Sequence, residues 1–261
     1  MKVGRFCLGL VCQAEGLLLP GLLLLLWEVA VGAGLISATL MPPPTQIADT
    51  FLQMLVAGDL VTHVAVSSLR VLLGFLAGVL MALVLGSMVG LNRWLEALLD
   101  PSFQALRAIP SLAWVPLLLL WLGIDEGPKL SLIAIGAFFP VYLGVLSGFH
   151  NVDRKLLEVG AIYGLSGTQT VRRILLPAAL PGVFTGLRNG LSLAWTFMVA
   201  AELIAATRGL GFLLNDGRDT GRVDVVIVAI ITLAILGKLS DSLLLAGEKR
   251  LLAWRDVYEA H

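Results

Sequence analysis

Charge is scarce in this chain of 261 residues: Asp, Glu, Lys and Arg make up 14% of it, against roughly 25% in a soluble globular domain. With 58% of the residues hydrophobic, a purely soluble fold is excluded. Basic excess is also missing, because 18 Lys and Arg face 18 Asp and Glu, and this removes the electrostatic footprint of a nucleic-acid binder. The 2 cysteines, Cys7 and Cys12, are too few and too close together for a disulfide framework or a metal site, and read as small apolar residues. Histidine is confined to His63, His150 and His261. No G-x-x-x-x-G-K-[ST] phosphate loop is present: the single Gly237-Lys238 pair is followed by Leu239 inside an apolar run.

What the chain has in abundance is apolar length. A helix crosses the hydrocarbon layer with about 20 mostly apolar residues, each adding about 1.5 Å to a core roughly 30 Å thick. Segments 17–36, 64–91, 130–149, 183–206 and 225–247 meet that length, with Arg70 expected to snorkel toward one surface. Segment 112–124 is short but lengthens backward through 102–111, with Pro110 and Pro116 as tolerated kinks. The reading is an all-α, polytopic membrane helix bundle of about six transmembrane helices.

Lys and Arg give the orientation, since basic loops stay in the cytoplasm. One side receives Lys2 and Arg5, then Arg93 and Arg107, then Arg154, Lys155, Arg172 and Arg173, and finally Lys249, Arg250 and Arg255. The other holds only Lys129, Arg208, Arg218 and Arg222, and its long first loop, 37–63, has neither residue type. Both termini are therefore expected in the cytoplasm, with Pro42-Pro43-Pro44 in an external loop that cannot be helix interior. The domain reading follows: 1–63 as N-terminal tail, first span and external loop; 64–250 as the core with a cytoplasmic loop at 150–182; 251–261 as a cytoplasmic tail. Small residues at Ala30, Gly32 and Ala33 also allow a cleaved signal peptide, although Glu28 beside Trp27 fits the interfacial end of a retained anchor better.

The loop at 150–182 is far longer than a connection requires, and such loops usually have a function. Val152, Leu156, Leu157, Val159 and Ile162 recur at helical spacing, with Asn151 or Asp153 able to cap the start. Gly164-Leu165-Ser166-Gly167 breaks this helix, and a second is expected from Thr168 to Leu176, ending before Pro177 and Pro181. Small residues Gly160, Ala161 and Gly164 near the turn would let another protein's surface approach the backbone.

These residues carry a resemblance. Glu158, Gly164 six positions on, Ile174 ten beyond and Leu176-Pro177 resemble the cytoplasmic coupling loop of ATP-binding-cassette importer permeases. The departure is Val159-Gly160, where the family prefers two alanines. Leu106-Arg107-Ala108-Ile109-Pro110, Leu122-Gly123-Ile124-Asp125-Glu126, Tyr163-Gly164-Leu165-Ser166-Gly167 and Gly209-Leu210-Gly211-Phe212-Leu213 are similar to the aliphatic sulfonate, taurine and nitrate branch, nearest the sulfonate permeases. The resemblance implies a type I importer transmembrane domain acting as a pair, a homodimer by preference. Two cytoplasmic ATPase subunits would bind ATP and Mg, and an external solute-binding protein would deliver a small anion. This chain would bind no cofactor or metal and would be no enzyme. Glu158, Gly160, Ala161, Tyr163, Gly164, Leu165, Ser166, Ile174 and Pro177 would form the ATPase interface, with Glu158 pairing to a basic group on the ATPase or to Arg172 or Arg173.

Ionisable groups at membrane depth are functional candidates by default. Arg188, Ser192 and Trp195 share one helical face, and with Asn189, Thr196 and Glu202 they are the candidates for a translocation path. Arg188 could draw an anion inward or merely snorkel. Lys238 and Asp241, at i and i+3, are expected to pair within one helix. Trp94, Trp114, Trp121 and Tyr142 are expected near the interfaces. Two rival functions remain. Gly164-Leu165-Ser166-Gly167 matches the G-x-S-G of an intramembrane serine protease, but no histidine lies in a span to act as base. A stand-alone secondary transporter would show internal inverted repeats, and none is evident.

Overall fold

The computed structural model describes residues 3–253, with side chains from Leu18 onward apart from that of Ala205; Cys7, Cys12, Arg255 and His261 lie outside those described side chains. Among the described residues every regular element is helical. In chain order these are α1 (Val3–Gly32), α2 (Pro44–Ala57), α3 (Asp59–Leu91), α4 (Arg93–Ala108), a 3-10 turn (Ser111–Trp114) and α5 (Val115–Leu122). Then come α6 (Glu126–His150), α7 (Arg154–Ile162), α8 (Gly167–Thr170), a π-helical turn (Val171–Leu175), α9 (Leu176–Ala205), α10 (Leu210–Asp219) and α11 (Val223–Leu251). The chain packs as two compact units, one from residues 1–63 with 213–232 and the other from 64–212 with 233 onward.

In the first unit, Pro44 occupies the start of α2, where its missing N–H is no loss, and Gly58 closes that helix in the left-handed conformation. The leucines from Leu18 to Leu26 are largely exposed, as an apolar helix is when lipid surrounds it. Thr45 donates to Glu28 through both its backbone N–H and its hydroxyl, and Thr50 donates to buried Asp224 at 2.8 Å.

The second unit is built around α6, which packs against α9 along a seam of glycines. A Cβ on Gly144 would lie 2.6 Å from the Gly186 Cα, and one on Gly182 would lie 2.7 Å from the Gly148 Cα, so the backbones touch. Gly74, Gly78, Ala82, Gly86 and Gly90 recur every four residues on α3: a Cβ on Gly78 would come within 2.5 Å of the Ala134 carbonyl of α6, and Gly74, Gly86 and Gly90 make room for the side chains of Ile133, Val145 and Phe149. Such small-residue stripes hold helices together in lipid, where no water drives association. Around the seam lie Val141, Tyr142, Val145 and Phe149, all buried. Tyr142 is thus a core residue at 1% exposure and not an interfacial ring, because Phe103 and Phe138 close over it.

Three helices among the described residues, α3, α6 and α11, are each long and apolar enough to cross a membrane alone. The third expected span takes a different form. Two helices, Arg93–Ala108 and Ser111–Leu122, meet at 88°, because Pro110 ends the ladder where a gentle kink was expected. With its 30 residues α9 has the length, but its polar stripe leaves it outside the three.

Candidate functional site

The loop after α6 folds as an elbow whose every bend has a local cause. Asp153 caps α7 by accepting from the Lys155 N–H at 2.9 Å, as one of the two candidate caps was expected to do. The helix ends at Tyr163, and Gly164 takes φ +67°, which lets the Leu165 N–H return to the Gly160 carbonyl at 3.0 Å. Ser166 then starts the next turn in a reciprocal box: its hydroxyl accepts from the Gln169 N–H, while its own N–H donates to Gln169 Oε1 at 3.0 Å.

The second helix of the elbow does not stop before Pro177, contrary to expectation. It widens into the π-helical turn Val171–Leu175, where the Leu176 N–H reaches back to the Val171 carbonyl, and continues as α9 with Pro181 inside the helix. A wider turn leaves room for the proline ring, which would otherwise meet the carbonyl four residues back.

The expected contact residues divide into two groups. Gly160 is buried, and a Cβ there would lie 2.7 Å from Ile174 Cδ1, so its smallness serves the elbow's own packing and not the approach of another protein. Ala161, Tyr163, Gly164 and Ser166 are exposed, Leu165, Ile174 and Pro177 half-buried. Beside Tyr163, at 79% exposure, stand Leu156, Val159 and Ile162, the last at 82%. Glu158 does not reach Arg172 or Arg173; Arg154 Nε lies 3.6 Å from its carboxylate, one turn back on the same exposed helix.

Arg188, Asn189, Ser192, Trp195 and Thr196 line one cavity of about 560 Å³ with Asp241 and Glu248. Arg188 is held from two sides: Nε and Nη2 donate to Asp241 at 2.8 and 3.1 Å, and Nη1 stands 4.0 Å from Glu248. The expected Lys238–Asp241 pair is replaced by this bond between α9 and α11, since a guanidinium fork matches both carboxylate oxygens at once. Trp195 Nε1 donates to the Ser240 hydroxyl at 3.0 Å and ties the same two helices.

Glu202 stands apart from that cavity, 1% exposed at the centre of a charged cluster. Arg70 Nη1 donates to it at 2.8 Å, the Gly211 N–H at 2.8 Å, and the Ser67 hydroxyl lies within 2.9 Å of both its oxygens. Arg70 also grips Glu126 with two bonds of 2.7 and 2.6 Å, Lys129 Nζ reaches Glu126 at 3.0 Å, and the Arg208 carbonyl accepts from Arg70 at 2.7 Å. Arg70 is therefore buried and paired, not snorkelling. Gly209-Leu210-Gly211 is explained here: Gly209 has φ +126° and a side chain there would collide with the Glu202 carboxylate. Sequence reading missed this cluster, although two isolated opposite charges, Arg70 and Glu202, in apolar runs were its signal. Among the described residues no group of three His, Cys, Asp or Glu side chains could hold a metal ion.

Known proteins share this architecture. Residues 74–252 match the family described as binding-protein-dependent transport system inner membrane component. The protein bearing the name aliphatic sulfonates transport permease protein SsuC in Bacillus subtilis (strain 168) is 42% identical over 245 residues, covering 94% of this chain and 89% of that protein. Its namesake in Escherichia coli (strain K12) is 41% identical, over 92% of this chain and 91% of that one. The taurine transport system permease protein TauC of the same strain is 37% identical over 89% of this chain and 86% of its own. In fold, the chain is similar to the MetNI methionine ABC transporter in its inward-facing conformations, with TM-score 0.63 and 20% identity over 77% of this chain and 98% of that one. The chain belongs to the binding-protein-dependent transport system inner membrane components, and is a permease component of an ABC importer.

Proposed function

We propose that this chain forms the membrane pathway for a small organic anion, an aliphatic sulfonate, and moves it inward at the expense of ATP hydrolysed by a partner. Two copies of the chain pair, and two ATPase subunits carrying ATP and Mg dock on the cytoplasmic side. An external binding protein delivers the solute. Both termini and the elbow 150–182 face the cytoplasm. The observation that carries this reading is the elbow: a stiff, doubly capped helix pair whose outward face is apolar at Leu156, Val159, Ile162 and Tyr163. An apolar face of that kind on a charged loop fits a protein partner better than water. ATP-driven closure of the motor would pull the elbow, and because α9 continues from it through the π-helical turn, the pull reaches the spanning helices directly. The relatives named for sulfonates support the substrate; taurine, nitrate and bicarbonate are the alternatives, separated by competition for uptake.

The test is made with the assembled complex in proteoliposomes. Glu158→Ala, which removes the only acid on α7, and Gly164→Trp, which puts a large ring at a left-handed turn, should leave insertion intact and lower substrate-stimulated ATP hydrolysis at least ten-fold. Normal coupling in both variants refutes the docking role.

A further inference from the structure

A second, larger cavity carries chemistry that the reading above does not use. It measures about 740 Å³, within the range of about 300–1,000 Å³ typical of small-molecule sites, and lies among α4, α6 and α9. Arg107 lines it near the end of α4 and, alone of the cavity's charged side chains, has no ion pair or side-chain hydrogen bond among the described residues. The others are engaged: Glu96 Oε1 lies 3.1 Å from His150 Nε2, and Asp100 accepts from Gln104 Nε2 at 2.6 Å. Arg107 is exposed, and a guanidinium whose donors are all uncommitted beside apolar side chains is matched in charge and geometry by an anion.

Its level in the unit follows from the neighbours. Glu96 meets His150 at the far end of α6, while Phe103 packs 4.8 Å from Tyr142 and 5.8 Å from Phe138, so α4 runs antiparallel to α6. Arg107, one turn past Phe103, therefore stands beside the middle of α6 and not with Arg93 among the loop residues where the sequence placed it, and the cavity wall there is Ile135, Phe139 and, from α9, Phe197. Phe197 lies against Gly136, where any side chain would collide with its ring. Hydroxyl and amide donors, Ser111 and Asn189, line the same cavity.

The geometry points to this cavity as the transported anion's own site, with Arg107, Ser111 and Asn189 holding a sulfonate head and Ile135, Phe139 and Phe197 covering an uncharged alkyl tail. This rests on the sulfonate reading and sharpens it. The apolar wall of Ile135, Phe139 and Phe197 favours a monoanion with an apolar tail over nitrate, which has no tail. Arg188 is the poorer anion receptor, since Asp241 already fills its fork.

The experiment uses the complete complex with its binding protein in proteoliposomes and labelled butane-1-sulfonate as probe. Arg107→Gln should cut uptake at least ten-fold and Arg107→Lys less, while Arg93→Gln, on the exposed start of the same helix, should match wild type. Phe139→Ala should lower uptake of butane-1-sulfonate several-fold more than that of methanesulfonate. Wild-type uptake by Arg107→Gln, in a complex that does transport butane-1-sulfonate, overturns the site alone. A wild-type complex that takes up nitrate or taurine but no alkylsulfonate overturns the substrate reading and the site with it. If Arg107→Gln fails to co-purify with the ATPase, the chain-length ratio in Phe139→Ala decides: a ratio unchanged from wild type overturns the proposal, a shifted one supports it.

Discussion

Arg70 shows what a single residue can hide. In the sequence it is a lone cation in an apolar run, and snorkelling is the cheap solution. In the folded chain it is 7% exposed and bonded to Glu126, Glu202 and the Arg208 carbonyl. Taking such charges out of water costs several kcal/mol each unless partners replace the lost hydration, and here every Glu202 oxygen has donors. Replacing Arg70 by methionine would strand Glu202 inside the protein, a loss of about 3–5 kcal/mol. Thermal unfolding in detergent should then start well below the wild-type midpoint, with Glu202→Gln in the same background restoring part of the difference. An unaltered midpoint for Arg70→Met would mean that the cluster contributes nothing to stability. Arg188 and Asp241 were each visible as intramembrane charges, but their pairing was not, since Lys238 sits nearer in sequence.

The elbow is the element whose sequence says most. Helical spacing, a capping aspartate and a left-handed glycine are local signals, and α7 begins and ends close to where they put it. The passage into α9 was hidden, because proline ordinarily stops a helix and only a π-helical turn lets it pass. Equally hidden was the job of Gly160, which depends on Ile174 folding back over it. A β-branched side chain there should pry the two helices apart at a cost of about 1–3 kcal/mol. For Gly160→Val we expect faster hydrogen exchange across 154–163 and weaker ATPase coupling, with exposed Ala161→Val leaving the exchange at its wild-type rate. Equal exchange in the two variants would show that the elbow does not need the close contact.

Across the whole molecule, the proposed function needs one topological fact, that the elbow and both termini share the side of the motor. A single cysteine at Ser166, exposed at the start of the second turn, should react with a membrane-impermeant maleimide in inside-out vesicles and not in intact cells. Labelling from the outer face would put the elbow out of an ATPase's reach. The amino-acid sequence alone determined the class of molecule, the positions of the long apolar segments, the bend at Gly164 and the family, because these depend on composition, period and short spacings that survive any arrangement of the helices. Tertiary structure alone decided which charges meet, that Pro110 turns a span through 88°, and which cation is left facing a cavity. Those outcomes depend on residues tens of positions apart arriving at one point, where the glycine seams let helix backbones touch, and no local pattern records that distance.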